Sequence, residues 1–334
     1  MPVKMGAMSS EHEVGADLAA WRESGSFVLD LDITSVLLSE TRCLLCAPLT
    51  PAMSTASGAA SLGLLVSLLD IAAAEPALAA CRPDWTATQD LTVHATSRLV
   101  EGPVVVDAAL VRVGKKAITT TANVYDGRGV HDFDALSRAI DSSLARPRAR
   151  FDAARTEPAA ASTRALGRAS GESTAGPTLV ARGLLTFARI PGSSATGMED
   201  YDPGNWVGRV RRRTFERPPE GTLQARMGLQ IVDAAAGAVE LARTQYVTNT
   251  IGTIFGGAQA ALLQAAAEAM RPGLEATDLQ IHYLSQVKSG PARTIGRVSR
   301  DAADHSVVTL ELRDVGYHDR LLALATVLLQ RPPA

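Results

Sequence analysis

The sequence has few of the residues from which metal and redox sites are usually built. Its 334 residues include three cysteines and six histidines, and aromatic residues make up only 4%. Cys43 and Cys46 form a Cys-x-x-Cys pair, but no second pair follows and no histidine lies near it. We therefore interpret both as core residues of an apolar strand, and we expect no metal and no cofactor.

Strong net charge and long apolar runs are also missing. The formal net charge is −2, which gives no electrostatic reason to expect binding to nucleic acid or to an anionic membrane. The longest apolar run, at 59–74, is shorter than a helix that crosses a bilayer, and it contains Asp70. The N-terminus lacks the charged-then-apolar order of a signal peptide. Together these features predict a cytoplasmic protein.

The most informative feature that is present is an internal repeat. Residues 90–94 recur at 278–282, an offset of 188 residues, and both segments begin with Asp-Leu and end with His. A second set of matches, at an offset of 194, pairs Gly58 with Gly252 and Gly63 with Gly257. A repeat of this length indicates a tandem duplication of one domain rather than a solenoid unit. His94 and His282 are shared by both copies, so we interpret them as structural.

The repeat divides the chain into two domains of ordinary size. We predict a first repeat at 15–195 with an insertion at about 127–177, a linker at 196–220 and a second repeat at 221–334. Apolar residues make up 46% of the chain, which is enough for two cores.

Each copy has one apolar helix among runs that favour strands, which is an α+β pattern. The first helix is predicted at 62–74, before Pro76, and the second at 256–270, before Pro272. Strand predictions, bounded by Gly and Pro turn signals, are 26–46 (one or two strands), 86–99, 103–113, 117–125, 239–247, 277–286, 292–300, 306–313 and 321–329.

Three connecting segments lie outside this repeated pattern. We predict a lead-in helix at 222–232, and in the insertion a short amphipathic helix at 133–144 followed by a flexible loop at 157–177. The insertion is either a solvated segment or a lid or docking segment. The basic run at 209–213 is either a solvated helix face or a contact for the phosphates of a CoA-like ligand.

The segment 249–257 leads directly into the second helix and ends in Gly256 and Gly257. Two glycines at a helix start allow a ligand to approach the backbone closely, and the free amide groups there carry the positive end of the helix dipole. Such donors polarise a carbonyl and hold the oxyanion that forms when it is attacked. A tight turn would explain the glycines equally well.

The first helix carries an acid where the second does not. Asp70 lies seven residues after Gly63, and Gln264 lies seven residues after Gly257. An unpaired carboxylate in a helix that should be buried is costly. Asp70 is therefore either a surface or cation-paired residue, or a general base or nucleophile at the interface between the repeats. Glu268, one turn after Gln264, is an alternative acid on the other side.

These residues resemble the hot-dog fold thioesterases, and most closely the phenylacetate-pathway (PaaI-like) acyl-CoA thioesterases. That family reads N-x-x-G-x-x-H-G-G before a helix with an acid at the place of Asp70. The second copy keeps Asn249, Gly252, Gly256 and Gly257, with Phe255 in place of the histidine. Phe-Gly-Gly also occurs at this loop in the double hot-dog type II acyl-CoA thioesterases.

The first copy keeps the acid but differs from the family in the loop. It has Thr55, Ser61 and Leu62 where the family has Asn, His and the first Gly. The resemblance therefore implies a double hot-dog fold with one complete site, in which Asp70 of the first repeat faces the Gly-Gly loop of the second. The opposite pair of elements, Gln264 against the first loop, is expected to be degenerate.

The resemblance also implies roles for individual residues. The catalytic set is Asp70, Gly257, Gly256 and Asn249: the Gly257 amide polarises the thioester carbonyl, Asp70 activates water or attacks, and Asn249 positions the carbonyl or the water. The substrate-binding set is Phe255, Ser67, Gln264 and Ser61. The expected substrate is an acyl-CoA or acyl-carrier-protein thioester, and the chain is expected to form a homo-oligomer, a dimer or a trimer. The alternative is a non-catalytic acyl-binding or CoA-binding protein on the same fold.

Overall fold

The computed structural model describes residues 26–145, 176–194, 201–213 and 220–333. In these residues a 13-stranded antiparallel sheet surrounds two central helices. The central helices are α1 (Leu62–Cys81) and α4 (Gly256–Met270), and two shorter helices are α2 (Phe133–Ala145) and α3 (Leu223–Met227). The strands are β1 (Ile33–Ser39), β2 (Arg42–Ala47), β3 (Trp85–Ala95), β4 (Val104–Val113), β5 (Ala117–Asp126), β6 (Thr178–Ile190), β7 (Val210–Arg213), β8 (Gln230–Asp233), β9 (Ala238–Leu241), β10 (Glu275–Tyr283), β11 (Ala292–Asp301), β12 (His305–Asp314) and β13 (Arg320–Gln330).

The order of the strands shows the duplication. The first half of the sheet runs β1-β2-β4-β5-β6-β3, and the second half repeats this order in mirror sequence as β10-β13-β12-β11-β9-β8. The two halves meet where β3 pairs with β10, and Asp90 lies opposite His282 there while His94 lies opposite Asp278. Each histidine Nδ1 is 2.6 Å from the facing carboxylate. The two histidines therefore join the repeats on the outer face of the sheet.

Helix α1 is longer than the sequence predicts, because Pro76 lies inside it rather than after it. A proline removes a backbone donor and normally breaks a helix interior. Here Ala77, Leu78 and Cys81 beyond it are all buried, so packing against the sheet favours continuation. At its full length α1 is long and apolar enough to cross a membrane, but 78% of that stretch is buried inside the protein, as expected of a core helix.

Helix α4 has the bounds predicted from the sequence, whereas the segments that precede it differ. The predicted lead-in helix ends after five residues, because Gly228 adopts the left-handed conformation (φ 74°) at its C-cap. Strand β8 follows directly. The strand predicted at 239–247 is confirmed only in its first three residues, because β9 covers Ala238–Leu241.

The basic run in the linker is a strand and not a helix face. Strand β7 pairs antiparallel with β1 at the edge of the first repeat. Arg213 and Arg211 both contact Glu75 of α1, whose side chain is 11% exposed, and the Arg213 Nη2 atom lies 2.7 Å from Glu75 Oε1. This part of the predicted linker therefore belongs to the first repeat, and these two arginines neutralise a nearly buried acid.

Helix α2 confirms the short helix predicted in the insertion and shows what it does. It packs on the outer face of the first half-sheet, in a separate apolar cluster formed by Val36, Leu44, Cys46, Val105, Tyr125, Leu136 and Ile140. At the corresponding strand positions the second repeat has charged residues, among them Arg293 paired with Glu240. The helix therefore covers a face that is apolar in one repeat alone. The loop predicted at 157–177 lies almost entirely outside the described residues.

Candidate active site between the repeats

Matching hydrogen bonds define which residues of the two repeats correspond. Asp126 accepts backbone N–H groups from Val100, Glu101 and Gly102 at 2.9 to 3.1 Å. At an offset of 188 residues, Asp314 accepts the N–H groups of Lys288, Ser289 and Gly290 in the same way, at 2.6 to 3.0 Å. The repeats can therefore be compared position by position around the site.

Helices α1 and α4 contact one another through glycines near their N-termini. A Cβ atom on Gly257 would lie 2.2 Å from Ser67 Oγ, and one on Gly63 would lie 2.7 Å from the Cα atom of Ala261. Neither position has room for a side chain, so close packing of the helices requires both glycines. This packing brings the first turn of each helix beside the middle of the other.

On one side of this contact, Asp70 meets the start of α4. A Cβ atom on Gly256 would lie 3.0 Å from Asp70 Oδ2 and 3.3 Å from the Tyr283 hydroxyl oxygen. The Thr88 hydroxyl donates to Asp70 Oδ1 at 2.6 Å, and the Tyr283 hydroxyl donates to the Gly256 carbonyl at 2.9 Å. The structure thus brings the predicted acid of the first repeat together with Gly256 of the second.

Thr88 and Tyr283 belong to this site but carry no sequence motif. Alternation along β10 could have identified Tyr283, because it lies two residues after the buried Ile281 and faces the same side. Thr88 could not be found in this way. The pairing of β3 with β6 shifts between Thr88 and Asp90, so simple alternation from Leu91 does not predict which way Thr88 points.

Burial controls the electrostatics of this site. Asp70 is 5% exposed. Burial raises the pKa of its carboxyl group to about 6, against the opposing effect of the Thr88 hydrogen bond. Burial, and then the nearby Asp70 carboxylate, raise the pKa of Tyr283 well above its ordinary value, so this hydroxyl remains a donor. Asp70 is therefore ionised at neutral pH and remains able to accept a proton.

The opposite side of the helix pair is closed by its own side chain. Gln264, the counterpart of Asp70, accepts the Gly63 N–H at 2.7 Å through Oε1 and donates to Glu268 Oε1 at 2.8 Å through Nε2. Burial raises the pKa of Glu268, which also accepts the backbone N–H of Ala276. The helix amide that would bind a carbonyl on this side is thus already occupied.

The difference between the two sides follows from one methylene group. Gln264 is long enough to reach the amide of Gly63, whereas aspartate is shorter by one carbon. In the part of the chain that the structure describes, no hydrogen bond joins Asp70 to the amide of Gly257. A carboxylate and a helix start therefore face each other without being bonded to each other.

Ser61 and Ser67, predicted to bind substrate, both have structural partners. Ser61 is the N-cap of α1, and its hydroxyl accepts the Leu64 N–H. Ser67 is fully buried and donates to the Gly63 carbonyl at 2.6 Å. These contacts favour helix capping and helix packing over the predicted substrate contacts.

Asn249 and Phe255 shape the loop before α4. The Asn249 Oδ1 atom accepts the N–H groups of Ile251 and Thr253, both at 3.2 Å, so it braces the loop. Phe255 occupies the N-cap position of α4 but provides no side-chain cap, and its ring packs 5.8 Å from that of Phe27. The first amides of α4 are therefore not capped by the residue that precedes the helix.

A separate cavity of about 710 Å³ lies between the segment 48–53 and α3, and neither Asp70 nor Gly256 lines it. Asp30, at its edge, is held by an ion pair with Arg226 and a hydrogen bond from Tyr246. Within the described ranges, no group of three or more His, Cys, Asp or Glu side chains is arranged to bind a metal ion.

Comparison with known proteins supports a thioesterase fold. Residues 246–330, which contain α4 and the four strands that follow it, match the family described as the acyl-CoA thioesterase N-terminal domain. A search of curated proteins finds no match to this sequence. The PaaI-like subfamily is not distinguished by these findings and stays a prediction.

Solved structures match nearly the whole chain. The tesB protein of Mycobacterium avium subs paratuberculosis is similar with a TM-score of 0.50 at 9% identity, over 92% of this chain and 98% of that one. A protein assigned as a thioesterase from Novosphingobium aromaticivorans is similar with a TM-score of 0.51 at 12% identity, over 90% of this chain and 98% of that one. Identities this low establish the architecture alone, and that architecture is the α+β double hot-dog fold.

Proposed function

We propose that this protein is a thioesterase that hydrolyses an acyl-CoA or acyl-carrier-protein thioester at a single composite site between the repeats. One contrast carries the proposal. Gln264 is hydrogen-bonded to a helix amide on one side, whereas Asp70 on the other side lies beside Gly256 and is held by Thr88. In the second arrangement, among the described residues, the carboxylate and the first amides of α4 lie side by side without a hydrogen bond to each other, so a base and a set of amide donors are combined at one place.

The start of α4 is suited to bind the thioester carbonyl. The first amide groups of a helix have no partner within it, and the helix dipole adds positive potential there. In this role the Gly257 amide, with Gly256 beside it, holds the carbonyl oxygen as it gains negative charge. Donors fixed in advance around a developing oxyanion are among the largest contributions to catalysis. Asn249 contributes by bracing the loop that sets the position of these amides.

Asp70 then provides the base. Its carboxylate takes a proton from water while the water oxygen forms a bond to the carbonyl carbon. Collapse of the tetrahedral intermediate breaks the carbon–sulfur bond, and the proton passes from Asp70 to the leaving thiolate. Direct attack by Asp70, followed by hydrolysis of the resulting anhydride, uses the same geometry.

The test is hydrolysis of a panel of acyl-CoA thioesters by the Asp70→Asn variant. General-base catalysis contributes about 10²–10⁴-fold, so we expect a loss of kcat of that order with the circular dichroism spectrum unchanged. Asp141→Asn is the matched control, because Asp141 lies on α2 and is 53% exposed. Equal activity of Asp70→Asn and wild type would refute the proposal, and binding of acyl-CoA without turnover by wild type would favour the non-catalytic binder.

The further association of chains into a dimer or a trimer stays a prediction. Sedimentation velocity of the full chain measures it directly.

A further inference from the structure

We infer that Arg243 and Lys288 form a phosphate-binding rim beside the Asp70 site, which recognises the phosphate at the end of the pantetheine arm of the thioester carrier. This inference rests on the proposed function and extends it, because it states which end of the substrate the protein recognises and where it enters. Four observations carry it.

The two basic residues replace apolar ones at corresponding positions. Lys288 corresponds to Val100, because the backbone N–H groups of these residues donate to Asp314 and Asp126 respectively. Arg243 corresponds to Leu49, because the two residues lie against corresponding glycines, Gly290 and Gly102. A Cβ atom on Gly290 would lie 3.0 Å from Arg243 Cβ, and one on Gly102 would lie 2.8 Å from Leu49 Cβ. At these two positions, positive charge is therefore present on the Asp70 side alone.

Arg243 is attached to the loop that presents the glycines. Its Nη2 and Nε atoms donate to the Gly252 carbonyl at 2.6 and 3.2 Å, which fixes the guanidinium group while the remaining N–H groups point elsewhere. Gly252 precedes Gly256 by four residues, so the two lie at most about 14 Å apart. That spacing is within reach of an extended pantetheine arm.

Both charges are available to a ligand. Arg243 and Lys288 are exposed, and among the described residues neither forms an ion pair with an acidic side chain. Lys288 Nζ contacts the side-chain oxygen of Gln286 at 3.4 Å, a neutral partner. An arginine fork and a lysine point charge are the side chains that proteins use most often for phosphate.

On the opposite side the corresponding loop is tied to the other repeat. Glu275 of the second repeat accepts the Ser57 hydroxyl at 2.7 Å, and Arg98 Nη2 donates to the Ser57 carbonyl at 2.7 Å. On the Asp70 side the three corresponding residues are Ala87, Ile251 and Gln286, which cannot form this clamp of hydrogen bonds. The rim with free positive charge is thus also the rim without the clamp.

The experiment compares thioesters of the same acyl group that differ in phosphate. Wild type, Lys288→Val and the double variant Arg243→Leu/Lys288→Val are assayed with acyl-CoA and with acyl-pantetheine, which has no phosphate. Loss of hydrogen bonds to a charged group corresponds to about a 10- to 100-fold change. We expect Lys288→Val by itself to lower kcat/KM for acyl-CoA by up to that factor, mainly through KM, and to leave kcat/KM for acyl-pantetheine the same, because the Lys288 side chain makes no bond to the glycine loop. The double variant also removes the Arg243 bonds to the Gly252 carbonyl, so it should lose more activity with acyl-CoA than with acyl-pantetheine. The control, Lys115→Val/Arg300→Leu, removes the same charges from exposed positions elsewhere and should leave both substrates unaffected.

The outcomes separate this inference from the proposed function. If wild type hydrolyses both thioesters equally well, or if Lys288→Val leaves the activity on acyl-CoA unchanged, the rim is refuted while the thioesterase stands. If wild type hydrolyses neither, the proposed function fails, and calorimetric binding of CoA to wild type and to the double variant decides the rim by itself. Acyl-phosphopantetheine distinguishes which phosphate is bound. If wild type hydrolyses it with the same kcat/KM as acyl-CoA, the rim binds the phosphate that CoA shares with a carrier protein. If its kcat/KM is no higher than that of acyl-pantetheine, the nucleotide phosphates of CoA are the ones recognised, which contradicts the inference.

Discussion

The Thr88→Val substitution tests most directly whether Asp70 is the base. Thr88 donates to Asp70 Oδ1 at 2.6 Å and lowers the carboxyl pKa, while burial raises it to a net value of about 6. Valine has nearly the same shape as threonine but no hydroxyl group. The substitution therefore removes the stabilising donor and leaves the desolvation in place, which disfavours the ionised form further.

The size of the effect follows from the energy of one hydrogen bond to a charge. Such a bond contributes about 1.5–3 kcal/mol, and each pKa unit corresponds to about 1.36 kcal/mol. The pKa of Asp70 should therefore rise by about 1 to 2 units. Because the base must be ionised to act, the acidic limb of the pH profile of kcat/KM should have its midpoint near 6 in wild type and about 1 to 2 units higher in the variant.

The assay is thioester hydrolysis at low substrate concentration between pH 5 and pH 9.5, with release of free thiol as the signal. Thr92→Val is the control. Thr92 lies on the same strand, but the residues before and after it, Leu91 and Val93, are the ones buried in the core, so the Thr92 side chain lies on the other face of the strand. A midpoint that stays at the wild-type value in Thr88→Val, or one that moves equally in the control, would show that Asp70 does not govern the profile.

Three further predictions concern the stability of the protein and the packing around Asp70 and Gly256. Because the pKa of Asp70 is raised from 3.8 to about 6, its charge destabilises the folded state above pH 6 and not below pH 4. Asp70→Asn should thus raise the free energy of unfolding by up to about 3 kcal/mol at pH 8, with the gain lost by pH 4 in urea titrations. Gly257→Ala places a Cβ atom 2.2 Å from Ser67 Oγ and should lower the free energy of unfolding by about 1–3 kcal/mol. Gly256→Ala should instead fold normally and lose activity, because its Cβ atom would contact Asp70. Tyr283→Phe removes the bond to the Gly256 carbonyl, worth about 0.5–1.5 kcal/mol, and should lower kcat by roughly tenfold or less with KM unchanged. An unaltered kcat would mean that this bond does not position the helix start.

Features that depend on local patterns could be predicted from the sequence. The repeat identifies the duplication, and the Gly-Gly start and Pro272 stop of α4 are confirmed at the predicted residues. Most strand positions also follow from β-branched runs between turn signals. The division of identities between the copies, with Asp70 in one and Gly256 in the other, led to the prediction that the two meet only when combined with the resemblance to the hot-dog thioesterases.

Features that depend on contacts between distant segments could not be predicted in this way. Helix α1 continues through Pro76 because the residues beyond it are buried, and the linker strand β7 forms because β1 offers an edge and Glu75 needs positive charge. Thr88 reaches Asp70 through an irregular strand pairing that no periodicity encodes. Local patterns carry periodicity and chain reversal, whereas burial and pairing arise from segments that the fold alone brings together.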